Sequence, residues 1–220
     1  LVINGKTGIV KNACLYGACE AIAASRYPMQ VDIDEKALDA DSVWFALQTG
    51  TSDTLQEGAR AIQRAEKLGR MPSHTGEDNY LCGITVQFDL TFSKQAWAEA
   101  ERYHWFQIVS SQSTMHRLAN MSMNDACTEY VDDRIMAVMN ELQCRFNEDH
   151  SRENYLRMIY SCPSGLRLTA RITTNFRQLK TILEQRQHHR LPEWREFCEW
   201  IQTIPYFKRL CMEENRNDIR

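Results

Sequence analysis

The chain has 220 residues, 43% of them hydrophobic and 25% charged, with a formal net charge of −3. This is the size and balance of an ordinary globular protein, enough for one large domain with a substantial core or two small ones, and it excludes a disordered chain. The small negative charge offers nothing to nucleic acid or an anionic membrane, and no apolar run approaches the roughly 20 residues that span a bilayer.

The opening LVINGKTGIVKNACLYG begins with a short β-like LVIN and lacks the pattern of a signal peptide, so a cytoplasmic protein is expected. Its eight cysteines include no CxxC pair and are expected to be free and reduced, several of them on apolar faces. The adjacent His188 and His189 diverge on a helix, and no metal site is expected. Residues 11–25, rich in small side chains, predict a closely packed helix, broken by Ser25-Arg26-Tyr27-Pro28-Met29 because the residue before proline avoids helical geometry. Val31-Asp32-Ile33 suggests a short edge strand. Ser52 or Thr54 can cap a helix carrying Leu55, Ala59, Ile62 and Ala65. Residues 67–79, polar with two glycines and a proline, predict a loop.

Strict alternation of Ile84, Val86, Phe88, Leu90 and Phe92 with polar residues gives the clearest strand. Ser93 can then cap a helix through Trp97, Glu101, His104 and Ile108, with Trp105 and Phe106 in the core and the polar run 110–117 interrupting it. Residues 125–146 predict an amphipathic helix with Val131, Ile135, Val138, Met139, Leu142 and Phe146 inward. A short helix over 151–161 ends at Cys162-Pro163-Ser164-Gly165.

Along residues 166–186, Leu168, Ile172, Leu179, Ile182 and Leu183 recur at helical spacing and predict a helix of about five turns. On such a helix Asn175 and Arg186, eleven residues apart, share a face. A buried amide and guanidinium both need partners. The residues alone leave two options: Asn175 caps a loop and Arg186 snorkels at a helix end, or both face a ligand. Pro192 suits a helix start, with Trp194, Phe197, Cys198 and Ile201 inward. Residues 206–212 are expected to dock and 213–220 to fray. With no repeat or linker, one domain is the expectation.

Two polar interruptions, 102–117 (RYHWFQIVSSQSTMHR) and 175–186, carry a family resemblance. The chain resembles the flavin-dependent thymidylate synthases. In that family an Arg-His-Arg triplet precedes a Ser-x-Asn/Gln-x-x-Ser-x-Arg run, and Ser110, Gln112 and Arg117 fall on its serine, amide and final arginine. A second signature, Asn-x-Arg with an arginine nine residues on and then a tryptophan-containing helix start, is met by Asn175, Arg177, Arg186 and Trp194. Arg157, ahead of Pro163, is most like the family's nucleotide-reaching arginine, with about two extra residues between. The resemblance covers roughly residues 75–203.

The resemblance implies an α+β fold, a single domain with a small antiparallel sheet packed against several long helices, assembled as a homotetramer. It implies methylation at C5 of a pyrimidine deoxynucleotide monophosphate such as dUMP, with methylenetetrahydrofolate as carbon donor, FAD as hydride-carrying cofactor and NADPH as electron source. Arg186 would polarise the pyrimidine. Arg117 would take the phosphate, helped by Arg102, Gln112, Ser113 and Arg157. Asn175, Arg177, Gln112 and His74 would contact the flavin. The departures are specific. Trp105-Phe106-Gln107 stands in place of the basic triplet, Met115 replaces the second serine, and Ser113 replaces an acidic residue. The glycine-histidine loop is reduced to Gly76-Glu77 or displaced to Ser73-His74. Those losses keep a second expectation open, a non-catalytic nucleotide-binding or interaction protein of the same fold.

Overall fold

Residues 1–3, 7–33, 38–49, 56–73 and 75–212 are described by the computed structural model. His74, the expected caps Ser52 and Thr54 with Leu55, and the expected frayed end at 213–220 lie outside the described residues. In chain order the elements are β1 (Val10–Tyr16), α1 (Ala18–Ala24), α2 (Ala40–Thr49), α3 (Gln56–Gly69), β2 (Thr85–Ser93), α4 (Lys94–Ala100) and β3 (Gln107–Ser111). There follow α5 (Thr114–Arg117), α6 (Met123–Ala126), α7 (Asp133–Glu148), α8 (Arg152–Tyr160), β4 (Arg167–Asn175), α9 (Phe176–Arg186), α10 (Pro192–Ile201) and α11 (Phe207–Cys211). Short 3-10 turns occupy Tyr27–Met29, Glu77–Gly83 and Leu118–Asn120. The fold is mixed α+β, with one four-stranded antiparallel sheet in the order β1-β2-β4-β3. None of the described helices is long and apolar enough to cross a membrane.

The chain divides into two compact units, Leu1–Phe88 with Thr173–Arg220, and Asp89–Ile172. The first has an aromatic core. Phe88 lies 5.5 Å from Phe197 and 4.7 Å from Trp200, and Phe197 stacks on Trp200 at 5.6 Å. Pro192 opens α10 at its first turn, where the missing N–H costs nothing, and the helix turns Trp194, Phe197, Cys198 and Ile201 inward as expected. Phe207, Leu210 and Cys211 dock α11 as expected. The second unit is built on methionine: Met123, Met136, Met139 and Met158 surround Leu118 and Leu166. Ser93 caps α4 by accepting from the Ala96 N–H, and Trp97 donates its Nε1–H to the Leu168 carbonyl at 2.9 Å.

Several expectations are corrected. Residues 166–186 are a strand followed by a helix rather than one helix. Ala170, Ile172, Thr174 and Phe176 are buried at a spacing of two, and the Leu168–Ile172 interval of four satisfies both periods. The β-branched run Ile172-Thr173-Thr174 favours the extended form. Residues 11–25 likewise split into β1 and α1 at Gly17, whose φ of 71° suits glycine, and a Cβ there would stand 2.5 Å from the Gly83 carbonyl oxygen. Ahead of β1 the β-like start pairs as expected, with Val2 bridging Cys14.

The helix after Ser93 stops at Ala100, and 107–111 is the edge strand β3, exposed along its whole length. Phe106 is buried, but Trp105 is exposed, against the core placement expected of it, and His104 is exposed beside it. The helix expected over 125–146 starts only at Asp133, capped by Asp132, after the separate α6. Val131 precedes that cap but packs with Leu142 and Phe146 against the methionine cluster, Met136 and Gln143 join Met139 inside, and Ile135 and Val138 are exposed. Val31–Ile33 is exposed and forms no strand. α2 had no expectation at all. The helix over 151–161 is α8, capped by Ser151 as it accepts from the Asn154 N–H.

Candidate functional site

In the first unit the candidate residues sit on α9. Asn175 is its N-cap, with Oδ1 accepting from the Gln178 N–H at 2.9 Å. Two residues on, Arg177 turns toward the 3-10 turn that begins at Glu77. Its Nε lies 3.1 Å from Asp78 Oδ1, and its Nη1 donates to Asn79 Oδ1 at 2.8 Å. Lys180, one turn further, places Nζ 3.7 Å from Asp78 Oδ2 and donates to the carbonyls of Gly69 and Met71. Asp78 is fully buried and Lys180 nearly so. Two cations share one carboxylate here. Among the described residues the Nη2 donors of Arg177 are uncommitted, a donor set that fits an anionic or carbonyl-bearing group.

Arg186 closes α9. It is 8% exposed, and its guanidinium lies 5.0 Å from the centre of the Trp194 ring. A cation over the indole face is attracted to the ring, and the C-terminal turn of α9 favours a cation there. Burial pushes the Cys198 thiol up to about 12, against the opposing pull of Arg186. Cys198 therefore stays protonated at neutral pH.

In the second unit Gln112 directly follows β3. Its N–H donates to the Thr169 carbonyl at 2.9 Å, and its Oε1 accepts from the Thr169 N–H at 3.0 Å, which extends the β3–β4 pairing by one residue. Ser113 occupies the N-cap position of α5 without a side-chain cap bond. Arg117 ends α5, exposed. Arg102 is exposed in the turn after α4. Arg157 pairs with Glu153 one turn away on α8 at 2.6 Å, an exposed pair worth little, and lines an open groove of about 640 Å³ with Arg152, Leu156 and Tyr160.

Within the first unit, then, Asn175, Arg177 and Arg186 share α9. In the second, Gln112, Ser113 and Arg117 share one short segment. Met115 of that segment accepts a hydrogen bond from Tyr155 of α8 at its carbonyl, 3.2 Å away, which brings Arg157's helix beside it. The sequence reading did not reach Asp78, Lys180 or Gln143. Asp78 sits in a loop that reads as solvated, and Lys180 and Gln143 interrupt apolar helix faces. That interruption is the one signal that could have singled them out.

The sequence matches no protein-family model and no curated protein. The fold does have counterparts. Flavin-dependent thymidylate synthase ThyX of Helicobacter pylori, in complex with FAD and dUMP, superposes with a TM-score of 0.64 over 91% of this chain and 95% of that one, at 14% identity. A second structure of the same enzyme with FAD and dUMP covers 93% and 96% at the same TM-score and 15% identity. A UMP/dUMP methylase, PolB of Streptomyces cacaoi, bound to 5-Br dUMP, gives 0.57 over 91% of each chain at 13% identity. The chain has the ThyX-like fold.

Proposed function

We propose that the protein transfers a one-carbon unit to C5 of a dUMP-like pyrimidine deoxynucleotide, as a cytoplasmic single-domain homotetramer. Methylenetetrahydrofolate would be the carbon donor, NADPH the electron source and FAD the cofactor. The observation that carries this reading is Arg186, a buried guanidinium over the Trp194 ring at the end of α9, in a chain with this fold.

A planar fork of donors suits the carbonyl edge of a pyrimidine, and polarising that edge makes C5 the reactive carbon. Arg117 takes the nucleotide phosphate, with Arg102, Ser113 and Arg157 as further nucleotide contacts. Arg177 would hold FAD through its Nη2 donors, with Asn175, His74 and Gln112 as further flavin contacts. Bound FAD supplies, in its reduced form, the hydride the transfer requires.

The protein should be yellow when purified and release FAD on denaturation. Arg186→Ala should lower turnover about a hundredfold or more, in line with loss of one preorganised charge-stabilising donor. A colourless protein that takes up no added FAD, and whose nucleotide affinity is unchanged in Arg186→Ala, overturns the reading. A second reading, a nucleotide-binding protein without catalysis, is favoured by Trp105-Phe106-Gln107, an uncharged stretch with Trp105 exposed where the resemblance calls for three basic residues. Calorimetry separates the two: dUMP binding with no FAD binding and no turnover supports the second reading.

A further inference from the structure

The short segment that carries Arg117 is held from behind by neutral side-chain donors. Gln143 of α7 is 8% exposed inside the methionine cluster, where an amide without partners is costly. Its Nε2 donates to two carbonyls at once, Leu118 at 2.5 Å and Met121 at 2.8 Å. One turn along the same face, Asn147 Nδ2 donates to the Ala119 carbonyl at 3.3 Å. From α8, Tyr155 Oη donates to the Met115 carbonyl at 3.2 Å. The Leu118 carbonyl also accepts from the Met121 N–H, which closes the 3-10 turn, and the side-chain donors add hydrogen bonds to carbonyls that a helix end leaves short of backbone donors. In front, Gln112 locks the segment to Thr169 through two hydrogen bonds. Leu118, next to Arg117, is fully buried, while Arg117 itself is exposed.

We infer that Gln143, supported by Asn147 and Tyr155, is a positioning residue for Arg117. By fixing the carbonyls on either side of the turn it sets where that guanidinium meets the nucleotide phosphate. This rests on the reading of Arg117 as the phosphate contact. A four-residue helix cannot hold its own geometry, because helix nucleation is unfavourable and a piece this short has little else to stabilise it. The reach of Arg117 is therefore decided by what clamps the turn. Met136 and Met139 anchor α7 on the same buried face as Gln143, so the clamp is referred to the core of the unit.

The test compares binding of dUMP and of deoxyuridine, which lacks the phosphate, to the full chain by calorimetry. The dissociation constant of deoxyuridine divided by that of dUMP isolates the phosphate contact. Arg117→Ala should lower that ratio about tenfold or more, the scale of one charged hydrogen bond. Gln143→Met, similar in volume but with no donor, should lower the ratio several-fold and leave deoxyuridine affinity unchanged. In the double variant the two effects should not add. Equal weakening of both ligands by Gln143→Met, or no change in the ratio, overturns the inference. If Arg117→Ala itself leaves the ratio unchanged, the phosphate reading fails instead, and the inference with it. Should Gln143→Met not fold, Tyr155→Phe decides: a lowered ratio supports the clamp, and an unchanged one overturns it.

Discussion

Asp78 is the most demanding residue in the described structure. Its carboxylate is fully buried, with the Arg177 Nε at 3.1 Å and the Lys180 Nζ at 3.7 Å. Removing the anion leaves the Arg177 and Lys180 charges without the carboxylate they share, and breaking a buried pair from one side costs about 3–5 kcal/mol. Asp78→Ala should therefore lower the free energy of unfolding in urea by about 3 kcal/mol or more. Asp78→Asn, which keeps the volume and a hydrogen-bond acceptor, should lose less. If Asp78→Ala unfolds at the wild-type urea midpoint, the cluster contributes nothing to stability. Arg177 is the residue where structure and proposed function meet, since the carboxylate that neutralises part of its charge also fixes its orientation.

Among the elements, the junction of β4 and α9 matters most, because it places Asn175, Arg177 and Arg186. Asn175 does two jobs at that point. Its backbone is extended, at φ −136° and ψ 168°, which completes the strand, and its side chain caps the helix. Asn175→Ala should cost about 1 kcal/mol and Asn175→Gly only a few tenths, because glycine adopts the cap backbone readily. Thermal unfolding of the two variants checks this. Equal losses would mean that the side chain acts through some contact other than the cap. The same junction shows how a period misleads. Leu168 and Ile172 are four apart, a helical interval and also twice the strand interval, so only their neighbours discriminate. The threonines beside Ile172 speak for a strand. The exposed β3 is the opposite case: Ile108 and Val109 are adjacent, both exposed, and carry no alternation to read.

At the scale of the whole molecule, buried groups that fold in their neutral form set the response to alkali. Burial pushes Cys198 up to about 12, and it raises Cys211 and Tyr80 further still. In the unfolded chain a thiol ionises near 9. Above that pH the unfolded state has released protons that the folded state retains, so stability must fall as pH rises. The contribution of Cys198 is fully present below about pH 9 and is lost progressively toward about 12. The melting temperature should decline between pH 8.5 and 10.5, and in Cys198→Ala the decline should be shallower even if the starting value is lower. Parallel curves for the two proteins would show that Cys198 ionises as readily in the fold as out of it.

The sequence by itself determined the parts of this protein that depend on local pattern. The alternation of Ile84 to Phe92 made β2, Ser93 capped the helix expected of it, and Pro192 opened α10 over an aromatic stripe. It also carried the spacing of Asn175, Arg177 and Arg186 that pointed to the fold. The tertiary structure alone decided the rest, for one physical reason: a partner far along the chain leaves no local mark. Asp78 belongs to Arg177 and Lys180 about a hundred residues away, and Gln143 to carbonyls in a different helix. Val138 reads as core by period, yet the phase of α7 is set by the methionines it packs among, and Val138 faces out. Apolar spacing says that a face will be buried; which face, and against what, is settled when distant segments meet.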